Sequence, residues 1–185
     1  TNPGIVPYNW SESKQRIFTN DELRSGMATT REQVEWGKSH DWPPRSFFSG
    51  RYGGLILRAD HFCDGVRHWV GLKNLRYFVQ AHIYCALFSV ELGYIMIKIA
   101  MNPEARTWKN AVYWLPVAGY TLLVFGSQMV NLAYILPRIA RNQTMLEAMQ
   151  KLDPTFYDRG FIRNCEEVFG SVFLFPLWFF PIPLP

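Results

Sequence analysis

The stretch from Trp42 to Phe78 reads WPPRSFFSGRYGGLILRADHFCDGVRHWVGLKNLRYF and runs directly into the first long apolar segment of the chain. Near its centre lie an acid, a base and a thiol, Asp60, His61 and Cys63. Such a group just before a membrane-length segment favours a thiol nucleophile that works at a bilayer surface. A single Cys beside a His is more often structural, so these residues alone do not establish catalysis.

The composition indicates a membrane protein. Hydrophobic residues make up 49% of the 185 residues, and they concentrate in two long runs in the second half and in the C-terminal tail. The three cysteines, Cys63, Cys85 and Cys165, form no C-x-x-C pair, so we expect neither a disulfide framework nor a zinc site. A net charge of +4 without basic runs does not favour nucleic acid, and it fits a chain that faces anionic lipid headgroups.

Two apolar segments are predicted to cross the membrane as helices, Phe78 to Ala100 and Ala111 to Leu136, the second ending at Pro137. Glu91 lies in the middle of the first segment. An acid at that depth costs at least about 2.5 kcal/mol, so it should face protein or a cavity. We expect a contact with the second span in preference to a proton or substrate role.

Small and polar residues in the second span predict close packing between the two helices. Gly119 and Gly126 would let the backbones approach, and Gln128 and Asn131 are available for interhelical hydrogen bonds. The connecting loop has few basic residues, whereas both flanking segments have many, which places both ends on the cytoplasm-like side. The predicted fold is therefore a mainly α, integral membrane protein.

The two predicted spans divide the chain into three parts. Residues 1–77 form an extramembrane segment that contains the core stretch 42–78 and a predicted helix at 20–36. Residues 78–137 form a two-helix transmembrane hairpin. Residues 138–185 form a C-terminal segment whose Pro-rich, aromatic tail from Phe173 is predicted to lie in the membrane interface.

The core stretch resembles the cysteine-rich core of the DHHC protein S-acyltransferases, which palmitoylate cytosolic cysteines. The resemblance implies that Cys63 accepts an acyl chain from acyl-CoA, that His61 serves as the base and that Asp60 orients His61. The other family-typical residues are Pro43, Pro44, Arg45, Ser46, Leu57, Arg58, Val66, Val70, Gly71, Asn74, Arg76, Tyr77 and Phe78.

Three further motifs extend the resemblance over nearly the whole chain. Asn2-Pro3-Gly4 resembles the Asp-Pro-Gly motif that follows the second membrane helix in the family, so the resemblance implies that this sequence lacks the family's first two transmembrane helices, which are either absent or not included in it. Thr144-Met145-Leu146-Glu147 resembles the Thr-Thr-x-Glu motif, with Met145 in place of the threonine that helps to hold the catalytic acid. Without that hydroxyl, the sequence does not determine the orientation of Asp60. The segment from Tyr157 to Gly170 resembles the C-terminal palmitoyltransferase motif, including Asn164.

The resemblance also shows what this chain has lost. The family core holds two zinc ions, and none of the eight ligand positions keeps its ligand: one set is Glu35, Lys38, Phe48 and Leu55, and the other is Ser49, Tyr52, Phe62 and Trp69. Structural zinc contributes on the order of 10 kcal/mol to folding of small domains. Burying the five large side chains among these positions contributes roughly 1.5 to 3 kcal/mol each, so their sum is comparable with the contribution of the zinc. We expect a zinc-less core in which aromatic packing replaces the metal.

Two hypotheses remain from the sequence. In the first, the chain is a pseudoenzyme, a structural or assembly subunit of a larger membrane protein complex. Asp64 supports this, because a carboxylate beside Cys63 disfavours the thiolate, and so does Gly65, which replaces a family Trp. In the second, the chain is an active, zinc-independent S-acyltransferase that uses Cys63. Endomembranes are the family default, and an organellar membrane such as the mitochondrial inner membrane is the alternative.

Overall fold

Two long helices dominate the structure, which is a computed structural model that describes residues 2–7, 10–11, 16–17, 45–49, 54–104 and 107–182. Helix α1 is Leu75–Met101 and helix α2 is Trp108–Ala140, and both are long and apolar enough to cross a membrane. The predicted helix at 20–36 and three of the expected zinc positions, Glu35, Lys38 and Tyr52, lie outside the described residues.

Both helices are longer than the sequence predicts. Helix α1 begins three residues before Phe78, directly after Asn74, whose side chain bonds the Gly71 N–H and the Trp69 carbonyl. Helix α2 does not end at Pro137 but continues to Ala140. A proline inside a helix removes one backbone hydrogen bond without necessarily ending the helix, and membrane helices tolerate it.

A buried apolar cluster lies between α1 and α2 at the end near the core stretch. The buried cluster there, which we call the helix-end cluster, consists of Val70, Leu75, Val79, Leu132, Ile135, Ile139 and Val168. Farther along, the predicted close packing is wrong: a Cβ built at Gly119 or Gly126 meets no other atom within 4 Å. No described residue of the other helix therefore packs against these two glycines.

Short antiparallel strands build the part before α1. Strands β1 (Ile5–Pro7), β5 (Gly54–Ile56) and β4 (Phe47–Ser49) form a sheet in the order β1-β5-β4. Strands β2 (Trp10–Ser11) and β3 (Arg16–Ile17) pair separately, as do β6 (His61–Cys63) and β7 (His68–Val70).

The N-terminal motif packs directly on the core stretch. Gly4 accepts a hydrogen bond from the Leu57 N–H at 3.0 Å, and Pro3 is fully buried. Gly71 makes this approach possible, because a Cβ at that position would lie 2.6 Å from the Pro3 carbonyl oxygen. Asn2-Pro3-Gly4 is therefore part of the folded core.

The C-terminal segment contains helices α3 (Met145–Met149) and α4 (Phe161–Phe169), followed by a 3-10 helix, Val172–Phe179. Asn164 is fully buried and donates to the Ala140 carbonyl and to Asp158 Oδ1, each at 2.7 Å. It also accepts a hydrogen bond from the Arg159 N–H. The Asn singled out in the sequence thus ties the end of α2 to the C-terminal segment.

Candidate functional site

The β6–β7 hairpin has two chemically different faces. Side chains alternate along a strand, and the register pairs His61 with Val70, Phe62 with Trp69 and Cys63 with His68. One face therefore holds His61, Cys63, His68 and Val70, and the other holds Phe62 and Trp69. Val70 belongs to the helix-end cluster and Cys63 packs against that cluster, whereas Phe62 packs against a second cluster, which consists of Ile56, Ala59 and Trp69.

Residues at the expected zinc positions contact one another. The Trp69 indole N–H donates to the Ser49 hydroxyl at 2.9 Å, and the Trp69 ring meets Phe62 edge-on with centroids 5.8 Å apart. In the other set, Phe48 and Leu55 are direct partners across strands β4 and β5. Hydrogen bonding and apolar packing thus join positions that converge on metal in the family.

The predicted burial of these residues is confirmed for Phe48, Leu55 and Trp69, and Phe62 is half-buried. Among the described residues, no group of three or more His, Cys, Asp or Glu side chains is placed to hold a metal ion. Zinc independence stays a prediction, because part of the core stretch lies outside the described residues.

Asp60 and His61 form a close pair. Asp60 is buried, and its Oδ2 lies 2.7 Å from Nδ1 of His61. With the proton on Nδ1, His61 donates to Asp60 and keeps Nε2 as its basic nitrogen. The backbone N–H of Met145 donates to Asp60 Oδ1 at 2.9 Å. A main-chain donor therefore contacts the carboxylate at the position where the resemblance predicts a threonine.

Cys63 is half-buried on the same strand as His61, but no hydrogen bond joins the two side chains. The space beside the sulfur is open at Gly65, where a Cβ would lie 3.8 Å from Sγ. Asp64 is exposed in the turn that follows. The structure therefore gathers Asp60, His61 and Cys63 on one hairpin, with the acid–base pair assembled and the thiol outside it.

A cavity of about 300 Å³ lies against the acid–base pair. Its walls come from the hairpin and from the last turns of α2, so it lies where the extramembrane part meets the membrane helices. The lining residues are Asp60, His61, Phe78, Asn131, Tyr134, Ile135, Arg138 and Met145. Asn131, expected to bond the other helix, is instead exposed on α2 and lines this cavity.

A buried ionic cluster, which sequence analysis did not predict, fixes the C-terminal segment to the core stretch. Arg45 bonds both carboxylate oxygens of Glu147, at 2.7 and 3.0 Å, and the side chain and carbonyl of Asn142. Arg58 donates to Asn142 Oδ1 at 2.7 Å and lies 3.5 Å from Glu167.

The carboxylates of this cluster offset the positive charges of its two arginines. Burial lowers the pKa of Arg58, and the nearby Glu167 carboxylate opposes that shift. Glu147 also closes a capping box with Thr144 at the start of α3. The spacing Thr144-x-x-Glu147 is the sequence signal for that box, and it positions Met145 beside Asp60.

The fold and the site define an integral membrane protein with a thiol and an acid–base pair at the end of a helical hairpin. The sequence model of the DHHC palmitoyltransferase family matches residues 28–152. The chain belongs to this family.

Curated relatives agree with this assignment. The chain is 26% identical over 207 residues to probable protein S-acyltransferase 13 of Arabidopsis thaliana, covering 98% of this chain and 65% of that protein. It is 27% identical over 141 residues to palmitoyltransferase ZDHHC15 of Homo sapiens, covering 69% of this chain and 40% of that protein. The chain therefore spans about 40 to 65% of the length of these relatives.

Proposed function

We propose that this chain is a DHHC-fold pseudoenzyme, a structural subunit of a larger membrane protein complex. The observation that carries the proposal is Glu91. It is exposed in the middle of α1, and it makes no hydrogen bond or ion pair with any described residue. The expected contact with the second span is therefore absent from the described structure.

The side chains around Glu91 are apolar, so the carboxyl group needs a polar partner from elsewhere. Leu87, Phe88 and Ile95 lie one turn away on α1 and are all exposed, so the carboxyl group sits in an apolar stripe. Lys98 is two turns away, too far along the helix to pair with Glu91. A carboxylate there is costly in hydrocarbon, and a neighbouring transmembrane helix with a basic or hydrogen-bonding side chain would satisfy it.

The setting of Cys63 supports an assembly role over catalysis. No hydrogen bond joins the thiol to His61, and Asp64 follows it directly in the chain. The described positions at the expected metal sites carry four apolar side chains and Ser49, which supports a core that does not depend on metal.

The same proposal includes topology and location. The basic residues before α1 and after α2 favour both ends on the cytoplasm-like side, with lipids and other membrane subunits as partners and no nucleic acid. Endomembranes are the default for this family. A subunit role is equally compatible with an organellar membrane such as the mitochondrial inner membrane.

Extraction from native membranes in mild detergent tests the subunit role. We expect the chain to co-purify with a fixed set of membrane proteins, and we expect Cys63→Ser to leave that set and the function of the complex unchanged. Glu91→Leu should release the chain from the complex, whereas the control Glu104→Gln, in the exposed loop, should not. Recovery of a folded, acyl-transferring monomer would contradict the proposal.

A second candidate function is S-acyl transfer through Cys63, which the assembled Asp60–His61 pair favours. In that reaction the Cys63 thiolate attacks the thioester carbonyl of acyl-CoA, the CoA thiolate leaves, and a substrate cysteine then takes the acyl chain from Cys63. His61 would accept the Cys63 proton. This candidate predicts a hydroxylamine-sensitive acyl label that Cys63→Ser abolishes.

Cys165 provides the matched control for that label. Burial raises the pKa of its thiol, so the thiolate is scarce and Cys165→Ser should leave labelling unchanged. A label that persists in Cys63→Ser and disappears in Cys165→Ser would exclude this second function.

A further inference from the structure

The last described residues, 172–182, have their backbone carbonyls held by side chains of α1. We call these residues the tail and the side chains of Arg76, Gln80 and Tyr84 the clasp. Arg76 donates to the carbonyls of Leu177 and Phe180, each at 2.7 Å, and to that of Ile182 at 3.1 Å. Gln80 donates to the carbonyls of Trp178 and Phe180, at 2.6 and 2.9 Å, and Tyr84 to that of Phe179.

The clasp determines the depth of the tail. Its three residues are spaced by four along α1, so they share one face over roughly 12 Å of the helix axis. Helix α1 has 27 residues and is therefore about 40 Å long, close to the full bilayer thickness with headgroups. If α1 spans the bilayer, its first turns lie at the headgroup level, and the tail that they hold lies there and slightly deeper.

The tail combines hydrogen-bonded backbone carbonyls with exposed apolar side chains. Its sequence contains no charged residue, and Phe173 is 91% exposed. Phe175, Phe179, Phe180 and Ile182 are exposed as well. Irregular backbone enters hydrocarbon only when its polar groups are paired within the protein. The clasp meets that requirement for the carbonyls of residues 177–180 and 182.

We propose that the tail is a membrane-inserted wedge that binds phospholipid acyl chains in the leaflet that α1 enters. Its continuity with a membrane span and its paired carbonyls identify lipid as the occupant. On its inner side, Trp178 stacks on Phe169 with centroids 5.3 Å apart, and Phe169 packs against the helix-end cluster. The wedge thus joins the surroundings of Cys63 to the bilayer.

Photo-crosslinking in phospholipid nanodiscs tests this proposal. A benzophenone amino acid replaces Phe173 in the full chain, purified with whatever proteins accompany it. The matched control carries the same group at Phe156, which is 73% exposed on the C-terminal segment and pairs with Tyr157 near the ionic cluster. We expect phospholipid adducts by mass spectrometry at 173 and none at 156.

Two outcomes would overturn the proposal. Protein adducts in place of lipid adducts at 173 would mean that a partner chain covers the tail, and equal lipid adducts at both positions would mean non-specific labelling. A clasp variant gives an independent readout. Arg76→Met should lower the lipid adduct yield at 173 severalfold in protein that still shows the native helical content, and an unchanged yield would show that the clasp does not hold the tail in the bilayer.

Discussion

The two faces of the β6–β7 hairpin differ in the chemistry of their side chains. On the face of Phe62 and Trp69, the two side chains contact each other, and Trp69 donates a hydrogen bond to Ser49. On the other face lie His61 and Cys63, and His61 makes a short contact with Asp60. The first face thus carries packing residues at positions where the resemblance predicts metal ligands, whereas the second carries the candidate reactive atoms.

The difference follows from what each face must do. A structural metal site holds strands at fixed distances, and apolar side chains of suitable volume do the same through burial. A nucleophile and its base have no such substitute, because their reaction needs particular atoms at particular positions. Alternation along the strand separates the two tasks, so replacement of the metal-side residues need not disturb Asp60 and His61.

The largest expected effect is on the packing face. Trp69→Ala removes the contacts with Phe47 and Phe62 and the hydrogen bond to Ser49, so the free energy of unfolding should fall by about 3 to 5 kcal/mol. Denaturant unfolding in detergent measures this. Val66→Ala, in the exposed turn of the same hairpin, is the control and should have little effect.

A conservative variant sharpens that test. Trp69→Phe keeps an aromatic ring but removes the donor to Ser49, so it should cost about 1 kcal/mol from the hydrogen bond, plus some packing. If Trp69→Ala were no more costly than Val66→Ala, packing at this position would not stabilise the core.

The next effect concerns the ionic cluster that supports the Asp60–His61 pair. Glu147→Gln leaves the guanidinium of Arg45 with a neutral partner, and it should cost about 1.5 to 3 kcal/mol, the range for hydrogen bonds to charged groups. Because α3 also carries the Met145 amide that bonds Asp60, the variant should lower protection of that amide in hydrogen exchange. Glu104→Gln serves as the exposed control, and equal stability of the two variants would contradict the role given to the ionic cluster.

The smallest effect is a pH dependence in the C-terminal segment. Hydrogen bonds from the Asn164 side chain and the Gly160 N–H lower the pKa of Asp158. Its folded pKa is below its unfolded value of about 3.9, so its stabilisation is present above that value and is lost as pH falls through the folded pKa.

The free energy of unfolding of wild type and of Asp158→Asn, measured between neutral and acidic pH, tests this contribution of Asp158. The gap in stability between the two should be constant at neutral pH and should narrow below about pH 4, as the wild-type carboxylate becomes protonated. A gap that stayed constant down to the acid limit would show that Asp158 does not stabilise the fold through its charge.

The sequence predicted the two spans and singled out Asn164 and the group of Asp60, His61 and Cys63, because length, hydropathy and ordered motifs are local signals. It did not predict the pairing of Arg45 with Glu147, which are 102 residues apart. The Met145 amide that holds Asp60 was also missed, because every residue except proline offers a backbone N–H and side-chain identity does not reveal its use.

Other errors came from the packing of the two helices. The sequence predicted that Glu91, Gly119 and Gly126 lie in an α1–α2 interface, and the structure shows that Glu91 is exposed and that both glycines face open space. Polar and small residues on a membrane helix indicate a contact but not the identity of the neighbour. The helix-end cluster determines which faces meet, and its members come from four separate elements, β7, α1, α2 and α4.

The metal content of the purified protein tests most directly whether packing has replaced metal. The chain, with its associated proteins, is stripped with a chelator, repurified, and examined by elemental analysis and by unfolding with and without added zinc. The account predicts no stoichiometric zinc and the same unfolding transition in both conditions. Stoichiometric zinc retained by the chain, or a core that unfolds on chelation and refolds when zinc returns, would contradict it.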